Sequence, residues 1–418
     1  MKAGIGAGLR GKYNTGGVTR KGGEERMNVI GGAAMVMARR GIAVMFFSGM
    51  LMALLGAALP VWRYYLNPDY VLIGHYFLLQ NLGVLAGGWC GARMVGRRGI
   101  GFTLALGCGM ACAALLVLAA FCPPASVWGR LAGLLLLGMA AGVTNHGGMH
   151  AITPMYERHR TATLNLAGIL FGAGCLACAL FLSGAFFFYT APSLLVLLAV
   201  APGLAAVGFA RAPAAPEIAL PARHWREAVE DFRRPGALLF AALLFFQSGN
   251  EGALAGWLAL FLTQRLGASP ATSLFLLALY WAALLVGRVA AQWALGRVRH
   301  GRLLAGAVVS QIFGCTALYF TDNLFGATVG VLLAGGGFSV ILPLVLERIG
   351  DRFPRYHPAL FNGIFSVAWT GALLAPASLG YLAALVGTGV VMGLPVLGSL
   401  MVLVLLTALW LEQRLSGA

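Results

Sequence analysis

Residues 245–257 read Phe-Phe-Gln-Ser-Gly-Asn-Glu-Gly-Ala-Leu-Ala-Gly-Trp, and they lie inside an apolar run over residues 237–263. A helix of that length can cross the roughly 30 Å of hydrocarbon in a bilayer. Glu251 has apolar sequence well beyond it on both sides, which no other acidic residue of the chain has. A carboxylate at the middle of a bilayer costs about 2.5–3.5 kcal/mol on insertion scales, so we expect Glu251 to have a function.

The composition is typical of a polytopic helical membrane protein. The chain has 418 residues, of which 60% are hydrophobic and 10% are charged, whereas soluble domains carry about 25% charged residues. Apolar runs of about 20 residues recur, as membrane-spanning helices require, while a transmembrane β-barrel would have alternating segments of about 10 residues. No lysine follows Lys21, so a Walker A motif is absent and an ion gradient is the expected energy source.

Twelve apolar spans are predicted, in two sets of six that are separated by the longest interior connection, 211–236. They lie at residues 41–62, 71–92, 100–121, 131–153, 162–184, 191–210, 237–263, 273–295, 303–320, 324–346, 358–382 and 388–411. The predicted domains are a basic, disordered cytoplasmic tail (1–40), an N-terminal six-helix half (41–211), a cytoplasmic linker (212–235), a C-terminal six-helix half (236–412) and a cytoplasmic tail (413–418).

The basic residues predict the orientation of these spans. The net charge is +16, and 25 of the 29 lysines and arginines fall in alternate connections, including both tails. Arg63, Arg130 and Arg265 fall on the other side, and Arg288 lies inside a span. Because loops on the cytoplasmic side are enriched in basic residues, we predict both termini in the cytoplasm and the protein in the cytoplasmic (inner) membrane. We therefore expect the protein to interact with membrane lipids and not with nucleic acid.

The two sets of six spans repeat one another. Gly83, Trp89, Arg93 and Arg98 match Gly287, Trp293, Arg297 and Arg302 at a constant offset of 204, and Asn165 and Gly174 match Asn362 and Gly371 at 197. Secondary transporters are commonly built from such repeats, with the binding site near the midplane between the halves. The repeat therefore predicts a transporter that works by alternating access.

The loop between spans 2 and 3 resembles a motif of the major facilitator superfamily. It ends in Gly96-Arg97-Arg98, as the family's motif does, but Arg93 stands where the family has an aspartate. The resemblance extends over residues 41–412. It implies a fold of twelve transmembrane helices in two pseudo-symmetric halves, with cytoplasmic gate loops at Arg93, Gly96, Arg97, Arg98 and, in the second half, Arg297.

A further resemblance is to the fucose-permease-like branch of sugar–proton symporters. It rests on Glu251-Gly-x-x-x-Gly-Trp257 in span 7 and on Gly287-Arg288 in span 8. The resemblance implies proton-coupled sugar uptake. That branch carries acidic residues in spans 1 and 4, where this chain has Ser48 and the pair Asn145 and His146.

Glu251 is the first candidate for proton coupling, and His146 is the second, as a relay in place of the missing acid. His146 and His150 are spaced i, i+4, which suits a metal, but no acid or cysteine lies beside them. The alternative reading of both histidines is a hydrogen-bonded contact between helices. We expect neither a metal nor a cofactor, because the seven cysteines also lack metal-ligand spacing.

Polar and aromatic residues inside the spans are the candidates for solute binding. They are Gln247, Asn250, Arg288, Trp281, Asn145, Asn81, Asn362 and Trp369. The amides could equally form interhelical hydrogen bonds, and Arg288 could extend to the membrane interface. From a rise of about 1.5 Å per residue, Glu251 and Arg288 differ in depth by more than about 10 Å, which argues against a direct pair.

The predicted function is secondary active transport of a small polar organic solute across the cytoplasmic membrane, coupled to protons, with sugar-like uptake favoured. Export of a metabolite, siderophore or drug by proton antiport uses the same parts and is the alternative. A membrane-embedded enzyme using His146, His150 and Glu251, and a receptor that binds without transport, are less favoured. We expect a functional monomer and no enzymatic activity.

Overall fold

The computed structural model describes residues 18–153, 155, 160–211, 232, 235–295, 297–352 and 363–416. Within these ranges eleven long helices are present. They are α1 (Val18–Val61), α2 (Tyr70–Ala120), α3 (Val127–Ala151), α4 (Arg160–Ala185), α5 (Ala191–Ala210), α6 (Pro235–Leu266), α7 (Pro270–Leu295), α8 (His300–Phe320), α9 (Leu324–Arg352), α10 (Gly363–Val386) and α11 (Val390–Ser416). Each contains a stretch long and apolar enough to cross a membrane, so the predicted multi-pass, all-helical class is confirmed.

Helix α2 accounts for two of the predicted spans. Its 51 residues would extend over about 75 Å as one straight helix, far more than a bilayer needs. The helix breaks at Gly99, whose φ of 79° and ψ of 169° lie outside the helical region. A glycine adopts such a positive φ without the strain that a side chain would bring. Residues 70–98 and 100–120 therefore form the second and third spans, and the eleven helices provide twelve.

The beginning of the chain differs from the prediction of a disordered tail over 1–40. Helix α1 already begins at Val18, and its apolar crossing stretch begins at Val36. Met37 and Ala38 are buried. Residues 24–40 are rich in glutamate, methionine, alanine and arginine, which are strong helix formers, so the span extends backwards as a continuous helix.

The repeat found in the sequence is a repeat of helix crossings. In the N-terminal half, a Cβ added to Gly174 of α4 would lie 1.9 Å from the backbone oxygen of Phe46 in α1. In the C-terminal half, a Cβ added to Gly371 of α10 would lie 2.0 Å from the backbone oxygen of Phe245 in α6. Equivalent glycines thus let equivalent helix pairs approach until their backbones touch, as small residues do in membrane bundles.

Three arginine-containing segments lie at one end of the bundle: the break in α2 at residues 97–99, the connection between α7 and α8, and the end of α9. We call this end the basic end. At the other end, a single apolar core contains side chains from both halves, including Leu59 of α1, Leu262 of α6 and Leu379 of α10. At the basic end, the buried clusters of the described residues stay within one half or the other. The halves are therefore joined at the end opposite the basic one.

Two polar contacts between the halves lie near the end that holds the shared core. Near the opposite end, the Tyr70 hydroxyl donates to the Gln264 side chain at 3.2 Å, and the Ser183 hydroxyl donates to the backbone oxygen of Ala271 at 2.9 Å. At the same end, a Cβ on Gly56 of α1 would lie 2.2 Å from a backbone oxygen of α6. The two halves are therefore closely packed at the end opposite the basic one.

Candidate functional site

Glu251 lies at the middle of α6, in the half of the bundle where the two cores separate. Its side chain is half-buried, whereas Gln247 one turn earlier is fully buried. The Gln247 Nε2 donates a hydrogen bond to Glu251 Oε1 at 3.0 Å, as the i, i+4 spacing allows. Gly249 and Gly252 lie against the backbone of α10. The carboxylate thus keeps access to the interior of the bundle and has one protein donor in the described part of the chain.

Arg288 of α7 crosses the boundary between the halves. The side chain is 9% exposed, and its Nη1 donates to the backbone oxygen of Gly168 in α4 at 2.5 Å. A Cβ on Gly168 would lie 2.8 Å from that Nη1. A glycine at residue 168 therefore makes room for the guanidinium. The alternative that Arg288 extends out to the membrane interface does not hold, because the side chain is buried between α7 and α4.

Glu251 and Arg288 interact electrostatically without forming an ion pair. Each contributes to the electrostatic environment of the other, yet in the described ranges no nitrogen of Arg288 lies within 4.0 Å of the Glu251 carboxylate. The depth of the two residues argued against a direct pair and left open whether they interact. The long arginine side chain shortens the separation that residue counting along the helix axes suggests.

Tyr280 joins these two residues, and the sequence analysis missed it. Its side chain is fully buried, its hydroxyl has no hydrogen-bond partner, and it interacts electrostatically with both Glu251 and Arg288. The ring packs edge-on against Trp281, with centroids 5.2 Å apart. Tyr280 precedes Arg288 by eight residues, a spacing that shares one helix face, so the periodicity that selected Trp281 also contained the signal for Tyr280.

Several buried polar atoms of the C-terminal half have no hydrogen-bond partner in the part of the chain that the structure describes. They are Gln247 Oε1, Asn250 Nδ2, Tyr280 Oη, Trp281 Nε1 and Gln311 Oε1. Every one belongs to a side chain that is at most 6% exposed. Because more than nine in ten buried polar groups in proteins are hydrogen-bonded, each of these atoms is unusual and is a place where another molecule can supply a partner.

Other predicted binding residues make helix–helix contacts. Asn81 Nδ2 donates to the backbone oxygen of Leu373 at 2.8 Å, which ties α2 to α10. Asn250 packs its amide against Gly398 of α11. Trp369 is half-buried at the edge of the shared core. Asn362 lies outside the described residues.

The predicted histidine pair lies within the N-terminal half. The rings of His146 and His150 have centroids 4.6 Å apart. His146 Nε2 is buried without a partner, and the side chain faces α2, where a Cβ on Gly91 would lie 3.3 Å from the His146 Cβ. Asn145 beside it is half-buried. Within the described ranges no group of three potential metal ligands forms here or elsewhere.

The predicted gate loops carry a stacking arrangement that repeats in both halves. The Arg93 guanidinium lies 3.4 Å from the centroid of the Trp89 ring, and Arg297 lies 3.7 Å from that of Trp293. Arg98 lies over Phe102, whereas Arg97 and Gly96 are exposed. Arg93, which replaces the aspartate of the family motif, therefore uses a neighbouring tryptophan in place of an acidic partner.

The fold consists of two six-span halves, and Glu251 is a half-buried carboxylate within one of its membrane spans. The model of the Major Facilitator Superfamily matches residues 41–376, and the chain belongs to that family. This confirms the resemblance seen in the sequence. The protein thus belongs to a family of multi-pass membrane transporters and not to a family of enzymes.

Individual relatives agree with this assignment. An uncharacterized MFS-type transporter of Yersinia pestis is 25% identical over 162 residues, which span 39% of this chain and 42% of that protein. A mutant of the nucleoside transporter NupG aligns with a TM-score of 0.70 at 12% identity, over 90% of this chain and 99% of that one. The E. coli fucose:proton symporter FucP aligns with a TM-score of 0.58 at 13% identity, over 90% and 99%. At such identities the structures share the fold alone.

Proposed function

We propose that this protein moves a small polar organic solute across the cytoplasmic membrane by alternating access, in symport with protons. The observation that carries the proposal is the half-buried Glu251 carboxylate at the middle of α6. A carboxylate in that place is costly unless it binds a proton, an ion or a solute. Gln247 stabilises its ionised form through one hydrogen bond, and protonation removes the negative charge that faces Arg288.

Protonation of Glu251 changes the electrostatic force on Arg288, which lies at the boundary between the halves. Arg288 holds α7 to α4 through the backbone oxygen of Gly168. With Glu251 ionised, the carboxylate attracts the guanidinium; with Glu251 protonated, that attraction is lost and the bond to α4 is the remaining constraint. The proton can thereby bias which way the halves pack, as coupling requires: a ligand shifts a conformational equilibrium through its different affinity for the two states.

The proposed solute is polar and has several hydrogen-bonding groups. The partnerless atoms of Gln247, Tyr280 and Trp281 include both donors and an acceptor. A sugar, which offers hydroxyl groups and an apolar ring face, fits such a set together with the tryptophan plane. The names of two proteins of the same fold, a nucleoside transporter and a fucose:proton symporter, are compatible with this class. In this proposal Trp369 and Asn145 line the path, and His146 is a secondary proton acceptor.

The proposed orientation places the basic end in the cytoplasm, with both termini there, because basic residues favour the cytoplasmic side. Residues 41–211 and 236–412 then form the two rocking halves, joined by the linker 212–235. The described conformation is in this view open to the cytoplasm. Its close packing of Gly56 against α6 closes the outside.

The test is transport by the purified protein in proteoliposomes with an imposed proton gradient. Radiolabelled hexoses, pentoses, nucleosides and organic acids are screened for accumulation, with and without an uncoupler. Solute uptake that is driven by an inward proton gradient, and that the uncoupler abolishes, supports symport. Movement of solute against the direction of proton flow supports the alternative, proton-antiport export. Solute accumulation that is the same with and without the proton gradient and the uncoupler would contradict proton coupling.

A further inference from the structure

Trp89–Arg93 and Trp293–Arg297 form two equivalent surface features, one in each half. Trp89 is 59% exposed and Trp293 is 69% exposed, although both are large aromatic side chains. The two arginines are also exposed, and each lies over its ring at less than 4 Å from the centroid. Within the described ranges neither arginine has a carboxylate partner. Each pair therefore presents a fixed positive charge to its surroundings.

The position of the two pairs gives them a common environment. Both lie near the basic end, on the first part of α2 and on α7. These two helices form the boundary between the halves, since α2 packs against α10 and α7 against α4. Exposed tryptophans near the end of a membrane span lie at the level of the lipid headgroups. Both pairs consequently face headgroups at the two places where the halves meet.

We propose that these two Trp–Arg pairs are equivalent binding sites for anionic phospholipid headgroups. Stacking fixes the guanidinium by its face and leaves the N–H groups along its edge free, and that edge matches a phosphate with two parallel hydrogen bonds. The indole holds the arginine at headgroup depth and offers an apolar surface to the glycerol and upper acyl chain. Charge and position both match an anionic lipid.

The duplication separates this proposal from a general attraction of basic loops to anionic membranes. Arg299 and Arg302 are also exposed at the basic end, but no aromatic ring stacks on either in the described part of the chain. Their attraction to an anionic membrane is that of unstacked surface charges. The stacked arginines, in contrast, are held in one orientation in both halves.

The test is a titration of the purified protein with phosphatidylglycerol in detergent, followed by native mass spectrometry, with phosphatidylcholine as the neutral lipid. The double variant Arg93→Gln/Arg297→Gln should bind its two tightest phosphatidylglycerol molecules about five-fold more weakly per site, since an arginine near an anionic surface contributes about that factor. Trp89→Leu/Trp293→Leu, which keeps both charges, should weaken the same two molecules. Binding of phosphatidylcholine should stay unchanged in all variants.

The matched control is Arg299→Gln/Arg302→Gln, which removes the same charge from the same end. It should retain the two tightest phosphatidylglycerol molecules. The proposal is overturned if this control loses them as readily as the stacked variant, or if the tryptophan variant binds like the unmodified protein. Thermal unfolding midpoints within about 2 °C of the parent establish that the exposed substitutions leave the fold intact.

Discussion

At the residue scale, the candidate site consists of Glu251 on α6 and of Tyr280 and Arg288 on α7, and Arg288 also binds α4. Glu251 could be found from the sequence because an acidic residue inside an apolar run is conspicuous. Arg288 was found for the same reason, but its partner was not. The bond to Gly168 depends on the packing of α7 against α4, which no local pattern contains.

Gly168→Val tests the role of the bond between α7 and α4. The added side chain begins 2.8 Å from Arg288 Nη1, so the guanidinium must leave the Gly168 backbone oxygen. We expect the rate of gradient-driven uptake to fall at least about ten-fold, which corresponds to the loss of roughly 1.4 kcal/mol in a rate-limiting rearrangement.

The control for this variant lies on the same helix. A Cβ on Gly184 of α4 meets no atom within 4 Å, so Gly184→Val should transport at the parental rate. Equal losses in both variants would mean that a valine in α4 is harmful wherever it stands, and the specific role of the Arg288 bond would be refuted.

At the element scale, the contacts that fix the helices are backbone crossings and one buried arginine. The sequence predicted the spans closely, because hydrophobic length is a local property. The matching glycines at Gly174 and Gly371 were visible as a repeat, but their function as crossing points required the structure. The separation of one 51-residue helix into two spans at Gly99 agrees with the predicted loop.

The crossing of α6 and α10 gives a stability prediction. Gly371→Ala places a methyl group 2.0 Å from the backbone oxygen of Phe245, and backbone atoms cannot rotate away. Overpacking of this kind costs about 1–3 kcal/mol. The unfolding midpoint in detergent should fall by several degrees. Gly336→Ala in α9, where nothing lies within 4 Å, should leave the midpoint unchanged, and a fall of the same size there would contradict the explanation.

Arg130 is predicted on the external side of the membrane, and its side chain is buried, with 4% of it exposed. It donates to the Tyr76 hydroxyl at 2.8 Å and to the backbone oxygens of Ala125 at 2.7 Å and Phe121 at 3.2 Å. Tyr64 completes the group through its bond to Tyr76, and burial raises the pKa of the Tyr64 hydroxyl, which stays protonated and able to donate. Counting charges along the sequence cannot reveal that the backbone oxygens of Phe121 and Ala125 point towards Arg130.

Arg130→Met should therefore destabilise the connection between α2 and α3. It removes the donors from two backbone oxygens and a tyrosine hydroxyl in a buried place, which costs about 2 kcal/mol or more. Chemical or thermal denaturation of the purified protein measures the loss. Arg63→Met, at an exposed position in the α1–α2 connection, is the charge-matched control. Stability unchanged in Arg130→Met would show that its three bonds are dispensable.

At the scale of the whole molecule, the two halves share one core at one end and have separate cores at the basic end. The duplication and the charge distribution predicted two halves and a site between them. They could not predict at which end the two halves share a core, because packing the halves together at either end would bury the same kind of apolar helix face. Nor could they locate the partnerless polar atoms in the C-terminal half, which depend on how three helices pack.

The central claim is that Glu251 carries the proton that drives accumulation. The most direct measurement compares gradient-driven accumulation with solute exchange at equal pH in proteoliposomes, for the parent protein, Glu251→Gln and Asp322→Asn. Asp322 is an exposed acid in the α8–α9 connection and controls for the loss of a carboxylate. Glu251→Gln should lose accumulation to the level of the uncoupled parent and retain exchange, since glutamine resembles the protonated acid, while Asp322→Asn should keep both. Accumulation by Glu251→Gln at the parental level would contradict the account.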